Sequence, residues 1–140
     1  MMPGDGDHDA VLARYPEFDD KGPEVGGYRL TLLSAGLAVE TGQAVRIVHV
    51  CESTSTGAPL YVMGPKTILG EFVDEELASP PVPAGEDPVA PSAYDGRVLP
   101  GPGIDANYEI TEYVFDTAGR HTVQWRLGEH ISNMLQFDVS

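Results

Sequence analysis

The fold class of this chain is decided by the stretch Asp116-Thr117-Ala118-Gly119-Arg120-His121-Thr122-Val123-Gln124-Trp125-Arg126-Leu127. Every second residue from His121 to Leu127 is aromatic or aliphatic, and polar residues stand between them. Successive side chains of a β-strand point to opposite faces, so this alternation is typical of a half-buried strand. The residues ahead of it, 116–119, end in glycine and predict a turn. We therefore expect a turn that leads into a strand with one apolar face.

A second alternating run follows the first after a break at residues 128–133. Leu135, Phe137 and Val139 share one face of this run, which predicts a β-hairpin at the end of the sequence. Further strands are predicted by similar, shorter runs at 27–32, 37–40, 44–51, 60–63, 67–73, 97–99 and 107–115. About seven or eight short strands separated by turns indicate an all-β fold, a two-sheet antiparallel β-sandwich.

Two segments differ from the predicted strands. Residues 1–25 are polar and acidic, and we interpret them as a tail, partly disordered or docked on a single domain at 26–140. A short helix from Asp9 to Tyr15, with Asp9 as its N-cap, is predicted within this tail. Residues 74–96 are interpreted as a long Pro-rich loop, because five prolines between positions 78 and 91 disfavour a central strand or a helix. A loop of this length is either functional or disordered, and both interpretations stay open.

The predicted strand at 107–115, the corner at 116–119 and the final hairpin together resemble immunoglobulin-like and fibronectin type III-like domains. The corner is similar to the turn that leads into the penultimate strand of such domains, and the resemblance covers about residues 26–140. The sequence departs from antibody-type domains, because it has no cysteine pair and His121 stands where a tyrosine of the corner would be expected. The resemblance implies an architecture, which many unrelated functions share.

The net charge of −14 is concentrated in two segments. Residues 1–24 carry seven acidic and two basic residues, and residues 71–96 carry seven acidic residues and no basic one. Nucleic-acid phosphates and anionic membrane surfaces are bound by clustered Lys and Arg, so neither is expected as a partner. The charge favours another protein, of basic character, as the partner, or it serves only to keep the chain soluble.

The single cysteine, Cys51, cannot form an internal disulfide. Small secreted β-domains often depend on disulfides, and the acidic N-terminus is unlike a signal peptide. Both observations favour a cytoplasmic location. No apolar run approaches the length of a membrane span.

Three groups of side chains have the residue types of catalytic or metal sites without the required spacing. His49 and Cys51 would share one strand face, but roughly 6–7 Å would separate them, beyond the reach of a hydrogen bond. His121 and His130 flank the hairpin without the spacing of a metal motif. Residues 5–9 begin like a calcium loop, but the required glycine and glutamate do not follow. Most acidic residues also stand in segments without apolar neighbours, so we expect neither catalytic residues nor a metal or cofactor.

The candidate partner-binding residues are acidic. Asp74, Glu75 and Glu76 form the tightest acidic run, and Glu86 and Asp87 follow in the same predicted loop. The alternatives are that the run 74–76 binds calcium weakly, or that these side chains form only a solvated loop edge.

These features predict a non-enzymatic protein–protein interaction module, an adaptor or assembly component that binds through loops of the sandwich. One alternative is an intracellular protease or toxin inhibitor that presents the loops 53–59, 100–105 and 128–133, which Pro and Gly would pre-organise. Self-association through exposed edge strands is also open. Carbohydrate or small-ligand binding is a further alternative, with three scattered aromatic candidates: Tyr61, Tyr94 and Tyr108.

Overall fold

The computed structural model describes residues 3–62, 65–85, 89 and 97–140. The chain begins with helix α1, Pro3–Leu12, followed by a 3-10 helical turn at Tyr15–Glu17. The prediction that a helix starts at Asp9 was wrong, because α1 begins at Pro3 and Asp9 lies inside it. Proline is tolerated in the first turn of a helix, where backbone N–H groups lack an intrahelical partner. No described helix is long and apolar enough to span a membrane.

Most of the remaining described chain is β-strand. The described strands are β1 Glu24–Val25, β2 Tyr28–Leu33, β3 Ala38–Val39, β4 Ala44–Ser53, β5 Leu60–Val62, β6 Glu71–Val73, β7 Glu76–Leu77, β8 Arg97–Leu99, β9 Gly103–Asp105, β10 Thr111–Val114, β11 Gly119–Leu127 and β12 His130–Val139.

These strands form two larger sheets and one small sheet. The first sheet has the order β1-β2-β4-β10, and β9 also pairs with β4. The second sheet has the order β3-β12-β11-β6-β7, and β5 pairs with β8 separately. Pairing between the named strands is antiparallel except for β3, which runs parallel to β12. The prediction of an all-β fold with packed sheets is confirmed.

One apolar core lies between the two larger sheets. Leu32 and Ile47 enter it from the first sheet, and Val123 and Trp125 enter it from the second. The indole Nε1 of Trp125 donates to the carbonyl oxygen of Leu69 at 3.0 Å, which satisfies its polar atom inside the core. The alternation in β11 therefore marks the inward face of the second sheet.

Strand β4 is covered on both faces. Its residues Val48 and Val50 point away from the main core and contact Val11 and Tyr15 of the N-terminal segment. The hydroxyl of Tyr15 donates to Glu52 Oε1 at 2.5 Å. A strand buried on both faces has apolar residues on both faces rather than in alternation, which explains the apolar residues Ile47, Val48, Val50 and Cys51 in the middle of β4.

The final hairpin is tighter than the sequence predicts. The expected break at 128–133 was wrong: Leu127 pairs with His130, and the turn is only Gly128 and Glu129. The pairing register shifts between Gln124 and Arg126, and two residues of β12 oppose one residue of β11 at this bulge. A bulge interrupts the period of two, so the beginning of β12 does not show the strand pattern.

Candidate functional site

The acidic run predicted to contact a partner connects β6 to β7. Asp74 and Glu75 are the two central residues of a hairpin turn in which Val73 pairs with Glu76. Their φ angles are 51° and 68°, the positive values of a type I′ turn, which usually holds Asn and Gly. Non-glycine residues in this conformation are strained, so contacts elsewhere must stabilise the turn.

Strand β11 supplies these contacts. The backbone N–H of Thr122 donates to Asp74 Oδ1 at 2.9 Å, and Nδ1 of His121 lies 2.6 Å from Asp74 Oδ2. Nη2 of Arg126 donates to Glu75 Oε2 at 2.8 Å. The carboxylates of Asp74 and Glu75 therefore already have hydrogen-bond partners on β11. A direct role of these residues in partner binding stays a prediction.

His121 is held at both ring nitrogens. In addition to the contact with Asp74, Nε2 lies 2.9 Å from the carbonyl oxygen of Thr117. The ring stacks on Phe115 with 4.4 Å between centroids. The hydrogen bond to Asp74, and then the one to the Thr117 carbonyl, raise the pKa of His121 above its ordinary value of 6.5. The physical cause is that a protonated ring donates to both acceptors.

A groove of about 380 Å³ lies beside this turn, between β7 and β10. We call it the edge groove. The apolar side chains Leu77 and Val114 flank it and are 46% and 50% exposed. Its other lining residues are Val73, Asp74, Glu76, Ala78, Tyr113, Phe115, Asp116 and His121. The groove therefore combines an apolar surface with an acidic rim.

Strand β10 is one end strand of the first sheet, and strand β7 is one end strand of the second. Among the described residues, β7 has a hydrogen-bonded neighbour only in β6, and β10 only in β4. An outer strand carries backbone N–H and C=O groups without a partner in the sheet. The edge groove thus lies between two strands whose outer edges pair with no other strand of the described residues.

The five predicted partner-binding residues have different positions. Asp74 and Glu76 line the edge groove, and Glu75 stands between them in the turn. Glu86 and Asp87 lie outside the described residues. Sequence reasoning missed the β10 side of the groove, because nothing in the sequence pattern joins residues 73–78 to residues 113–121.

A second polar cluster lies in the core behind the groove. Nε2 of His49 on β4 lies 2.5 Å from Oε2 of Glu71 on β6, and both side chains are fully buried. The hydroxyl of Thr111 donates to Glu71 Oε1 at 2.6 Å, and the hydroxyl of Tyr113 donates to the same oxygen. Glu71 is an exception to the expectation that most acidic residues lack apolar neighbours, because this residue faces the core.

The surroundings of Glu71 decide its charge. Burial would raise the pKa of this carboxyl, but hydrogen bonds from His49, Thr111 and Tyr113 outweigh burial and hold the pKa below its ordinary value of 4.5. The carboxylate is therefore ionised at neutral pH and joins strands of both sheets. Tyr113 also lines the edge groove, so it links this buried cluster to the groove surface.

Cys51 and His49 do not form a nucleophilic pair. Both lie on the core side of β4, but Nε2 of His49 binds Glu71. Burial raises the pKa of the Cys51 thiol to about 11. A thiol with this pKa is protonated at neutral pH and is a poor nucleophile.

The two histidines of the final hairpin are far apart. His121 binds Asp74, whereas the ring of His130 packs edge-on against Tyr28 with 5.9 Å between centroids. Along extended strands the two histidines are separated by about 20 Å. The described residues contain no group of three or more His, Cys, Asp or Glu side chains that could hold a metal ion.

The tyrosines considered for carbohydrate binding do not form one described surface. Tyr108 packs edge-on against Trp125 with 5.0 Å between ring centroids. The ammonium group of Lys66 covers Tyr108 at 4.2 Å from the ring centroid. Tyr61 is half-buried on β5, and Tyr94 lies outside the described residues.

The three segments of the inhibitor alternative lie close together at the opposite end of β11, and the third of them, 128–133, is a two-residue turn followed by the start of β12. Gly101 packs so closely on the loop 53–59 that an added Cβ would collide with its carbonyl oxygens. The hydroxyl of Tyr28 donates to the carbonyl oxygen of Pro59 at 2.6 Å. The same tyrosine contacts His130, next to the turn of the final hairpin.

The chain matches no protein-family model, no curated protein and no solved structure. Its function is therefore inferred from its own residues.

Proposed function

We propose that the chain is a non-enzymatic protein–protein interaction module whose contact surface is the edge groove. The observation that carries the proposal is the meeting of two outer strands at one groove, with exposed Leu77 and Val114 beside acidic side chains. Exposed apolar side chains next to unpaired strand edges favour a surface that another chain covers. A partner that binds there buries the apolar side chains and satisfies backbone groups at the same time.

We also propose that the two sheets have an immunoglobulin-like arrangement. The strand order supports it: β2, β4 and β10 share one sheet, and β6, β11 and β12 share the other. In such sandwiches the first, second, fourth and fifth strands form one sheet, and the third, sixth and seventh form the other. Strands β2, β4 and β10 would then correspond to the first, second and fifth strands, and β6, β11 and β12 to the third, sixth and seventh. After β2 in the first sheet, the chain crosses to the second sheet, where β3 pairs in parallel with β12.

The proposed partner is a basic protein. Glu76 and Asp116 are exposed acidic residues of the edge groove, and the chain has a net charge of −14. Opposite charges steer association and fix orientation, and added salt weakens the attraction. A cytoplasmic location fits the single, protonated Cys51.

Charge reversal in the groove tests this function. The variant is Glu76→Lys/Asp116→Lys, and its control is Glu17→Lys/Asp20→Lys, which makes the same charge change at exposed residues of the N-terminal segment. Proteins captured from a native lysate are quantified at low and moderate salt. We expect the groove variant to capture about tenfold less, or still less, of a salt-sensitive partner, whereas the control captures as much as the unmodified chain. Equal retention by both variants, or no salt-sensitive partner of the unmodified chain, would contradict the proposal.

A protease or toxin inhibitor is the second candidate function. It is supported by the close packing of the loops near Gly101 and Tyr28, since pre-organised loops lose little conformational entropy on binding. The purified chain is assayed against panels of cysteine and serine proteases. Inhibition that is lost when the loop 53–59 is replaced by a Gly-Ser linker would support this function, and no inhibition of any protease would reject protease inhibition.

A further inference from the structure

We propose that the edge groove receives an extended partner segment with alternating basic and apolar residues, and that this segment joins the first sheet as a strand beside β10. The inference rests on the proposed function and specifies the partner of the same groove. In strand addition, backbone hydrogen bonds supply affinity, and alternate side chains supply specificity.

The side chains of β10 alternate as a template for such a strand. Thr111 and Tyr113 are half-buried and donate to Glu71, whereas Glu112 and Val114 are exposed. A neighbouring strand would lie about 4.8 Å away and follow the same alternation. Every second side chain of the added strand would then point towards the core side, and the others would point to solvent.

The space beside β10 suits apolar side chains on the inward face. Half-buried Val73 and Tyr113 and buried Phe115 line the groove, and Leu77 flanks it. Its volume of about 380 Å³ is at the lower end of the range for binding pockets. The four residues of β10 span about 13 Å, so the paired part of the segment is about four to six residues long. Strand β7 has only two residues and is the poorer template.

The charge of the groove decides which strand fits. Glu76 and Asp116 stand at its rim, so basic residues on the added strand would gain favourable contacts. A second copy of this chain would bring its own net charge of −14 to the same rim. Repulsion between like charges disfavours self-pairing at this edge, and a basic partner segment is the occupant we infer.

The probe is a blocked hexapeptide of alternating Lys and Val, compared with an alternating Glu and Val hexapeptide. Two further Lys-Val peptides are N-methylated, one at its Lys amides and the other at its Val amides. Successive backbone amides of a strand point to opposite edges, so strand addition uses only one of the two sets. We expect the Lys-Val peptide to bind and to slow hydrogen exchange at β10. One methylated peptide should bind about tenfold or more weakly, and the other should bind like the parent.

Each outcome separates the inference from the proposed function. Absence of binding, or equal behaviour of the two methylated peptides, contradicts strand addition, whereas the lysate capture still decides the function. Equal binding of the Glu-Val peptide contradicts a basic occupant. A dimer in sedimentation that protects the β10 amides would assign the groove to a second copy and overturn the inference. If the groove variant also retains its partner in the lysate capture, the proposed function fails as well.

Discussion

Two histidine–carboxylate pairs of nearly equal length lie in very different surroundings. His49 and Glu71 are 2.5 Å apart and fully buried between the sheets. His121 and Asp74 are 2.6 Å apart at the surface, where 14% of the histidine side chain and 44% of the aspartate side chain are exposed. Removing one partner of a buried pair leaves a polar group without water, whereas water replaces the lost partner at the surface. The fold therefore depends on keeping both partners of the first pair, whereas the second pair responds to pH at the edge groove.

The largest expected effect is the loss of the buried carboxylate. Glu71→Ala leaves His49, Thr111 and Tyr113 without their common acceptor, and it opens a cavity between the sheets. We expect the free energy of unfolding to fall by about 3–5 kcal/mol, or the chain not to fold. Urea denaturation measures the loss, with Glu129→Ala in the exposed hairpin turn as a control. A decrease in the free energy of unfolding of less than about 1 kcal/mol would contradict the claim that removing a partner costs more in the buried pair than in the surface pair.

Acid should remove the stabilisation that ionised Glu71 provides. The pKa of Glu71 is lower in the folded chain than its ordinary value of 4.5, so its contribution is fully present above that value. The contribution is lost as the pH falls through the folded pKa. The unmodified chain should therefore lose more stability between about pH 5 and pH 3 than Glu71→Gln does. Parallel curves of unfolding free energy against pH for the two proteins would contradict the lowered pKa.

The stabilisation by the surface pair of His121 and Asp74 should depend on pH in the opposite direction, and it should decrease as the pH rises. The pKa of His121 is raised in the folded chain, so its stabilisation is present below the ordinary value of 6.5 and is lost as the pH rises through the folded pKa. Asp74→Asn keeps an acceptor for the N–H of Thr122 but removes the negative charge. We expect the free energy of unfolding at pH 6 to fall by about 0.2–1 kcal/mol. We also expect a lower pKa of His121, which NMR titration measures. An unchanged pKa would show that Asp74 is not its cause.

The smallest effect is expected at the strained turn. Glu75 has a φ of 68°, which glycine adopts without strain. Glu75→Gly should relieve this strain but remove the contact with Arg126. We expect the free energy of unfolding to rise by about 0.3 kcal/mol in total. Thermal and urea unfolding measure it. A net loss above about 1 kcal/mol would mean that the surface contact with Arg126 is stronger than its exposure suggests.

The strand pattern of the sequence predicts only what depends on local alternation. Strand β11 was predicted because one face is buried and the other is not, and Trp125 lies in the core as expected. The start of β12 was missed because the bulge opposite Trp125 interrupts the alternation. The start of α1 was missed because its glycines and acidic residues favour a tail over a helix.

The candidate site could be predicted only in part, because its residues meet through the pairing of distant strands. The acidic run at 74–76 was found from composition, and two of its members line the edge groove. Val114 and Asp116 stand about 40 positions later, and nothing in the sequence around them indicates that they lie beside residues 74–76. Glu71 was missed because an acidic residue is normally exposed, and only its three donors make burial tolerable.

The most direct test of the edge groove is site-specific photo-crosslinking. A photoreactive phenylalanine analogue replaces Leu77 or Val114 in the groove, and Ile131 as the matched control, since this residue is 41% exposed at the opposite end. The chains are irradiated in a native lysate with and without Glu76→Lys/Asp116→Lys. We predict that the same basic protein is crosslinked from Leu77 and Val114, not from Ile131, and that the charge reversal abolishes these crosslinks. Crosslinks from Ile131 alone, or crosslinks in the groove that survive the charge reversal, would contradict the account.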